Sequence, residues 1–270
     1  MSFLQKQNGT LIYLQSSLLD RPGVRHGFTT RPGGVSTGAL SSLNLGTKRG
    51  DDMANVRENY RRICAALGMD DRRCVLSYQK HETNIRLVTE ADCGKGLWTE
   101  REYTSVDAMI CQQPGIPLVI FSADCGIILL YDTARRAIGV VHAGWRGVAD
   151  GLAALTVARM NQQFGTEPRD VVAAIGPGIG KCCFETDDDV PAALRAALGT
   201  EAEPYMTRQG AKWHVDLKGL NALWLRRCGV SAEHIDVSDH CTACRPDLYW
   251  SHRKMGNARG VQAGLLCLEE

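Results

Sequence analysis

Ser122-Ala123-Asp124-Cys125-Gly126 and His142-Ala143-Gly144-Trp145-Arg146-Gly147 bracket a pair of apolar runs of strand length, 127–131 and 137–141. The polar segment Asp132-Thr133-Ala134-Arg135 between them suits a turn. An antiparallel hairpin whose turn centres between Thr133 and Ala134 sets Cys125 opposite His142. Directly opposed residues carry Cβ atoms about 4.5–5.5 Å apart. At that distance a thiolate and an imidazole can share one metal ion or one proton. Register carries the inference, because a one-residue slip would send the two side chains to opposite faces.

The composition, 44% hydrophobic and 23% charged over 270 residues, is ordinary for a globular chain. A net charge of +1 gives no electrostatic basis for nucleic acid or an anionic membrane as the main partner. Residues 1–14 carry no apolar core behind basic residues, and no window approaches the ~20 apolar residues of a membrane helix. The expectation is a cytoplasmic protein. Its eleven cysteines, odd in number and scattered, then read as reduced thiols, buried or metal-bound. No internal repeat, low-complexity tract or Pro/Ser-rich linker divides the chain, so a single domain over 1–270 is expected.

Outward from the central stretch, 106–111 and 117–122 read as buried strands, the second delivering Asp124 and Cys125 at its end. Residues 55–67 form a helix with Val56, Tyr60, Ile63, Cys64 and Leu67 on one face, Asp52 or Asn55 as cap and Gly68 as its end. The segment 11–14 reads as an edge strand, and 75–78 as a short strand leading to Gln79-Lys80-His81. After His142 the chain turns through Gly144-Trp145-Arg146-Gly147 into a helix over 148–164. That helix start, with Arg146, reads either as an anion site or as a turn that merely needs small residues. Further segments read as a strand over 170–175, a helix over 189–198, a helix over 216–228 and a last strand over 261–268. Cys182-Cys183 are expected to pack, since neighbouring cysteines are poorly placed to chelate one ion. Cys241-Thr242-Ala243-Cys244 is half of a structural zinc site with no second C-x-x-C to complete it.

His81, Cys125 and His142 together make two imidazoles and a thiolate. Three protein ligands are the usual complement of a catalytic zinc, which lowers the pKa of its water to about 7. The same Cys125 and His142 also suit a metal-free thiolate–imidazolium nucleophile for acyl transfer. His81 favours the metal, because a nucleophile pair has no need of it. Asp124 would point away from Cys125 in a regular strand, so it serves the site only if the strand ends or bends there.

The motifs Gly27-Phe28-Thr29-Thr30-Arg31, Gly33-Gly34-Val35-Ser36, Ser42-Leu43-Asn44-Leu45-Gly46, Gln79-x-His81, Ala123-Asp124-Cys125, His142 to Gly147, Ile175-Gly176-Pro177, Cys182-Cys183-Phe184-Glu185 and Ser251-His252-Arg253 stand in one order. In that order the chain, from about residue 24 onward, resembles the purine nucleoside phosphorylase family formerly described as polyphenol oxidases or multicopper laccases, the laccase-domain-containing family. The resemblance implies a single-domain α/β fold, a layered α-β-β-α sandwich with mixed sheets related to the cysteine-hydrolase domain of cytotoxic necrotising factors. It implies zinc on His81, Cys125 and His142. It also implies phosphorolysis of adenosine, inosine and methylthioadenosine, and deamination of adenosine. Purine nucleosides and phosphate would be the partners. On this reading Cys125, Asp124 and Arg146 serve catalysis, Arg146 and Arg31 hold anionic oxygens, and Asn44 contacts substrate. One departure is Glu82, where the family commonly has glycine. Its carboxylate would narrow the pocket or repel phosphate. The rival reading is a metal-free cysteine hydrolase or deamidase using Cys125 and His142.

Overall fold

A computed structural model describes residues 3–270. Two six-stranded sheets form its centre. The first runs Phe3–Asn8, Leu11–Ser16, Val24–Thr29, Gln262–Leu268, Leu118–Ser122, Val75–Leu76. The second runs Ile235–Val237, Val171–Ile175, Gly126–Asp132, Ala137–Ala143, Ala108–Cys111, Ile85–Leu87. Both are mixed: Val75–Leu76 lies parallel to Leu118–Ser122, and the two edge strands of the second sheet lie parallel to their neighbours. The remaining pairings are antiparallel.

Strand alternation sorts side chains into layers. Leu118, Ile120, Ile127 and Leu129 point between the sheets and pack with Phe28, Met109 and Leu266. Val119 and Leu265 point outward, onto the Val56, Tyr60 and Ile63 face of helix Met53–Leu67. Ile128 and Leu130 point to the other outer face, against Val157 and Met160 of helix Leu152–Phe164 and Leu220 of helix Leu217–Arg227. The order is therefore helix, sheet, sheet, helices, in one α/β unit. The first sheet draws strands from the start, middle and end of the chain, so no sequential cut separates the layers.

Several expectations are corrected. Leu11–Ser16 is an interior strand, because Phe3–Asn8 covers its outer side. The helix expected over 148–164 is two helices, Trp145–Ala149 and Leu152–Phe164, broken at Gly151. Gly151 has φ of 70°, and a Cβ there would sit 3.3 Å from the Trp224 ring. Helix Met53–Leu67 begins two residues early because Asp52, rather than Asn55, accepts the N–H of Ala54. A small sheet of Glu185–Thr186, Lys212–Val215 and Met206–Gln209 had no counterpart in the sequence reading.

The central hairpin forms, but with Asp132 paired to Ala137 and Ile127 to His142. The Asp132 carboxylate accepts the N–H groups of Ala134 and Arg135, and Arg136 takes a φ of 51°. The turn is thus Thr133 to Arg136, one residue further along than expected. Cys125 consequently lies diagonal to His142 rather than opposite. The shift moves partners by two residues, which preserves the face.

Candidate active site and metal centre

Ala123-Asp124-Cys125 is the corner where the chain leaves the first sheet and enters the second. The corner is held from both sides. Ser122 Oγ donates to the Cys125 carbonyl at 2.6 Å, and Ile179 N–H donates to the Asp124 carbonyl at 2.7 Å. Asp124 has a φ of 92°. Its carboxylate accepts Thr242 Oγ1 at 2.6 Å and Arg253 N–H at 2.7 Å. These bonds make it an anchor for two distant loops, with its oxygens turned from the Cys125 sulfur to other partners.

His81 reaches Cys125 from a loop. Gln79 clamps that loop to the first sheet by exchanging hydrogen bonds with the Phe121 N–H and carbonyl, both at 2.8 Å. His81 Nε2 lies 3.8 Å from Cys125 Sγ, and its ring meets the His142 ring edge-on at 4.9 Å. The donor atoms of His81, Cys125 and His142 all lie within 4.8 Å of one another. Gly144 leaves room for this cluster: a Cβ there would stand 2.8 Å from His81 Cδ2 and 3.2 Å from Cys125 Sγ.

Asp107 organises the centre, and the sequence reading passed it over. It is fully buried. Oδ1 accepts His142 Nδ1 at 2.9 Å and His81 N–H at 3.0 Å. Oδ2 accepts the N–H groups of Lys80 and Glu82, and the Asp107 carbonyl takes the His142 N–H. One carboxylate thereby shapes the His81 loop and aims His142 through its Nδ1. Metal-ligating histidines are oriented by such a carboxylate as a rule. Two imidazoles, one thiolate and this orienting group fit a borderline-soft ion such as zinc, with a position left open.

Without an ion the centre polarises itself. Burial opposes ionisation of Cys125, but the charge of His142 and hydrogen bonds from His142 and His81 outweigh it and hold the thiol down to about 6. Burial also opposes charging of His142, yet Cys125 and Asp107 raise it to about 9. Alkylation of Cys125 in metal-stripped protein is therefore expected to be half-maximal near pH 6. A free thiol would titrate at about 8.5. A midpoint above 8, read by mass spectrometry of the Cys125 peptide, would contradict this electrostatic picture.

A cleft of about 540 Å³ opens over the triad. Lys48, Arg49, Lys80, Arg101 and Arg259 line it with Tyr78 and Phe121, and among the described residues no carboxylate does. Arg259 Nε is buried without a partner. A second cavity of about 180 Å³ lies on the other side of His81 and Cys125, lined by Trp145, Arg146, Phe184 and Arg253. Arg146 is exposed and stacks on Trp145 at 4.3 Å, on a helix of only five residues.

Two expected substrate contacts lie elsewhere. Asn44 is fully buried, bonded to Asp51, Gly46 and the Val261 N–H. Arg31 donates to the carbonyls of Ser41 and Pro246 and stacks on Trp250. Both hold loops together instead of facing either cavity. Glu82 turns its carboxylate to Ser105 Oγ at 2.6 Å and Asn84 at 3.0 Å, away from the cleft lining.

Fold and site together define an α/β sandwich with a candidate His–Cys–His metal centre at the corner between its sheets. The family model described as multi-copper polyphenol oxidoreductase laccase matches residues 25–269, and the chain belongs to that family. It is 37% identical to the purine nucleoside phosphorylase YlmD of Geobacillus stearothermophilus, over 86% of this chain and 85% of that one. It is 32% identical to the adenosine deaminase RL5 of an unknown prokaryotic organism, over 87% of this chain and 90% of that one. The solved structure of YlmD from Geobacillus stearothermophilus superposes with a TM-score of 0.91 at 33% identity, covering 98% of this chain and 99% of that one. The protein is an enzyme of this family. No helix among the described residues is long and apolar enough to cross a membrane.

Proposed function

We propose that the chain is a zinc-dependent purine nucleoside phosphorylase acting on adenosine, inosine and methylthioadenosine, and that it also deaminates adenosine. The observation that carries this reading is the cleft: a soft-metal donor set below, aromatic side chains beside it, and five cations with no carboxylate among the described lining residues. Such a lining suits a neutral aromatic ligand together with a small anion. The relatives named purine nucleoside phosphorylase and adenosine deaminase support purine nucleosides as the substrate class.

His81, Cys125 and His142 would hold the ion, which supplies Lewis acidity. Asp107 fixes the ring of His142. Phe121 would offer its face to the purine, while Tyr78, stacked by Lys48 and Arg101, holds those cations in the cleft. Arg259, with Arg49 and Lys48, holds phosphate. In phosphorolysis a phosphate oxygen bonds to the ribose C1′ as the bond from C1′ to the purine nitrogen breaks, and the purine takes up a proton. In deamination water adds at C6 and ammonia leaves. Asp124 contributes by positioning Cys125, and Arg146 contributes from the smaller cavity.

Incubation with adenosine, with and without phosphate, tests the assignment. Adenine that appears only with phosphate, and inosine in either case, are expected. Neither product from zinc-loaded protein would overturn it. Arg259→Lys keeps the charge but loses the planar fork, so the KM for phosphate should rise by about tenfold. Arg146→Lys, at an exposed side chain, should change it less. The reverse ranking would move phosphate to the smaller cavity.

A further inference from the structure

Cys182 and Cys183 were expected to pack, and Cys241 and Cys244 to lack a partner pair. The fold brings the two pairs together. Lys181 to Cys183 form a turn rather than a strand, closed by the N–H groups of Cys183 and Phe184 on the Gly180 carbonyl, both at 2.9 Å. In a strand, neighbouring side chains would point to opposite faces. In this turn both sulfurs face Cys244, at 3.6 Å from Cys182 and 3.4 Å from Cys183. Cys241 completes the group, and all four sulfurs lie within 4.8 Å of one another.

We infer that Cys182, Cys183, Cys241 and Cys244 form a second zinc site, a closed set of four thiolates distinct from the His–Cys–His centre. A tetrahedron with zinc–sulfur bonds of about 2.3 Å has edges of about 3.8 Å. The observed separations suit that tetrahedron and are far beyond the ~2.05 Å of a disulfide. The surroundings suit a thiolate cluster as well. Gly180 N–H donates to Cys241 Sγ at 3.1 Å. A Cβ on Gly180 would lie 3.3 Å from Cys182 Sγ and 3.5 Å from Cys241 Sγ, so glycine keeps the interior open. The buried ammonium of Lys218 is anchored on the carbonyls of Ser238 and His240, at the edge of the cluster. Four thiolates around a divalent ion carry two net negative charges, and this cation offsets part of them.

The position gives the site a purpose. Thr242, between the two cysteines of the C-x-x-C, donates to Asp124 and pairs its N–H with Gly178. Ile179 and Phe184, on the loop that carries Cys182 and Cys183, line the smaller cavity beside Cys125. Zinc here would pin that loop to the 241–244 turn and stiffen one wall of the active site, while all four ligand positions remain closed to substrate.

Metal analysis of protein prepared without an affinity tag, in zinc-containing reducing buffer, tests the inference. Wild type should hold two zinc ions per chain. The pair Cys182→Ser and Cys244→Ser, both at exposed positions, should hold one, and so should His142→Ala. Cys244→His keeps a zinc ligand and should retain two, which separates ligation from general damage to the fold. Cobalt(II) added to metal-free His142→Ala should give the intense charge-transfer absorption of a thiolate site, and the cysteine pair variant in that background should lose it. One zinc in wild type, unaffected by the cysteine variants, would overturn the second site and leave the first intact. A disulfide among the four cysteines in place of the second ion would overturn it too. One zinc lost only with the cysteine variants would support this site and count against the function proposed above.

Discussion

Asp107→Asn is expected to weaken zinc binding by 10- to 100-fold, the range found when a carboxylate behind a metal-bound histidine is lost. The geometry says why asparagine cannot stand in. Each carboxylate oxygen of Asp107 accepts two donors, His142 Nδ1 with His81 N–H on one side and the N–H groups of Lys80 and Glu82 on the other. An amide has one oxygen, so its NH₂ must face two donors whichever way it turns. A donor left without an acceptor costs about 1–3 kcal/mol when fully buried, and less for these part-buried N–H groups. Metal-free protein should therefore also melt lower. Burial opposes ionisation of Asp107, but bonds from His142 and the backbone N–H groups outweigh it, leaving its pKa below the ordinary carboxylate range. A carboxylate depressed in this way stabilises the fold above its unfolded pKa, and that contribution is lost as pH falls through the folded value. The stability gap between wild type and Asp107→Asn should then narrow in acid. Equal zinc affinity in the two proteins, measured by competition with a chelator, would remove Asp107 from the centre.

Gly144→Ala should lower zinc affinity about tenfold to a hundredfold by a different route. Gly144 has φ of −68°, so alanine meets no backbone penalty there. The added methyl instead enters the space between His81 and Cys125, 2.8 Å and 3.2 Å from their nearest atoms. Overpacking of this kind costs about 1–3 kcal/mol, and here His81, on an exposed loop, can swing away to relieve it. The strain then appears as lost metal affinity. The melting temperature of the metal-free protein should move little, and activity should recover at high zinc concentration. Unchanged zinc affinity, by the same competition measurement, would show that the triad does not close as described.

Individual strands and the buried helix face were legible in the sequence, whereas the order of the layers came from the family resemblance. The continuous apolar run over 117–122 marked a strand buried on both faces, and the Val56, Tyr60, Ile63 spacing marked the buried face of a helix; the structure has both. The hairpin placed Cys125 and His142 on one face because an error of two residues preserves parity. Its true turn depended on Asp132 bonding its own backbone, a local choice that apolar pattern does not report. Asp107 was legible but unread: an acid among Val106, Ala108, Met109 and Ile110 is a buried charge in need of partners. The Cys182-Cys183 pair was expected to pack because adjacent cysteines rarely chelate one ion, whereas the turn at Lys181 to Cys183 brings both sulfurs to Cys244. Asn44 and Arg31 were drawn from the resemblance alone, and their side chains are taken up by loop contacts. The cleft cations Lys48, Arg49 and Arg259 could not be assembled from sequence, since the fold brings them to His81 from distant segments.

Alkylation of Cys125 and turnover of adenosine with phosphate, followed together through chelation and return of zinc, test the central claim most directly. With zinc bound, iodoacetamide should label Cys125 slowly and phosphorolysis should proceed. After chelation, labelling of Cys125 should become fast and phosphorolysis should stop, and zinc restored before alkylation should reverse both. Phosphorolysis that resists chelation but disappears when Cys125 alone is alkylated would make Cys125 a free nucleophile and contradict the zinc account.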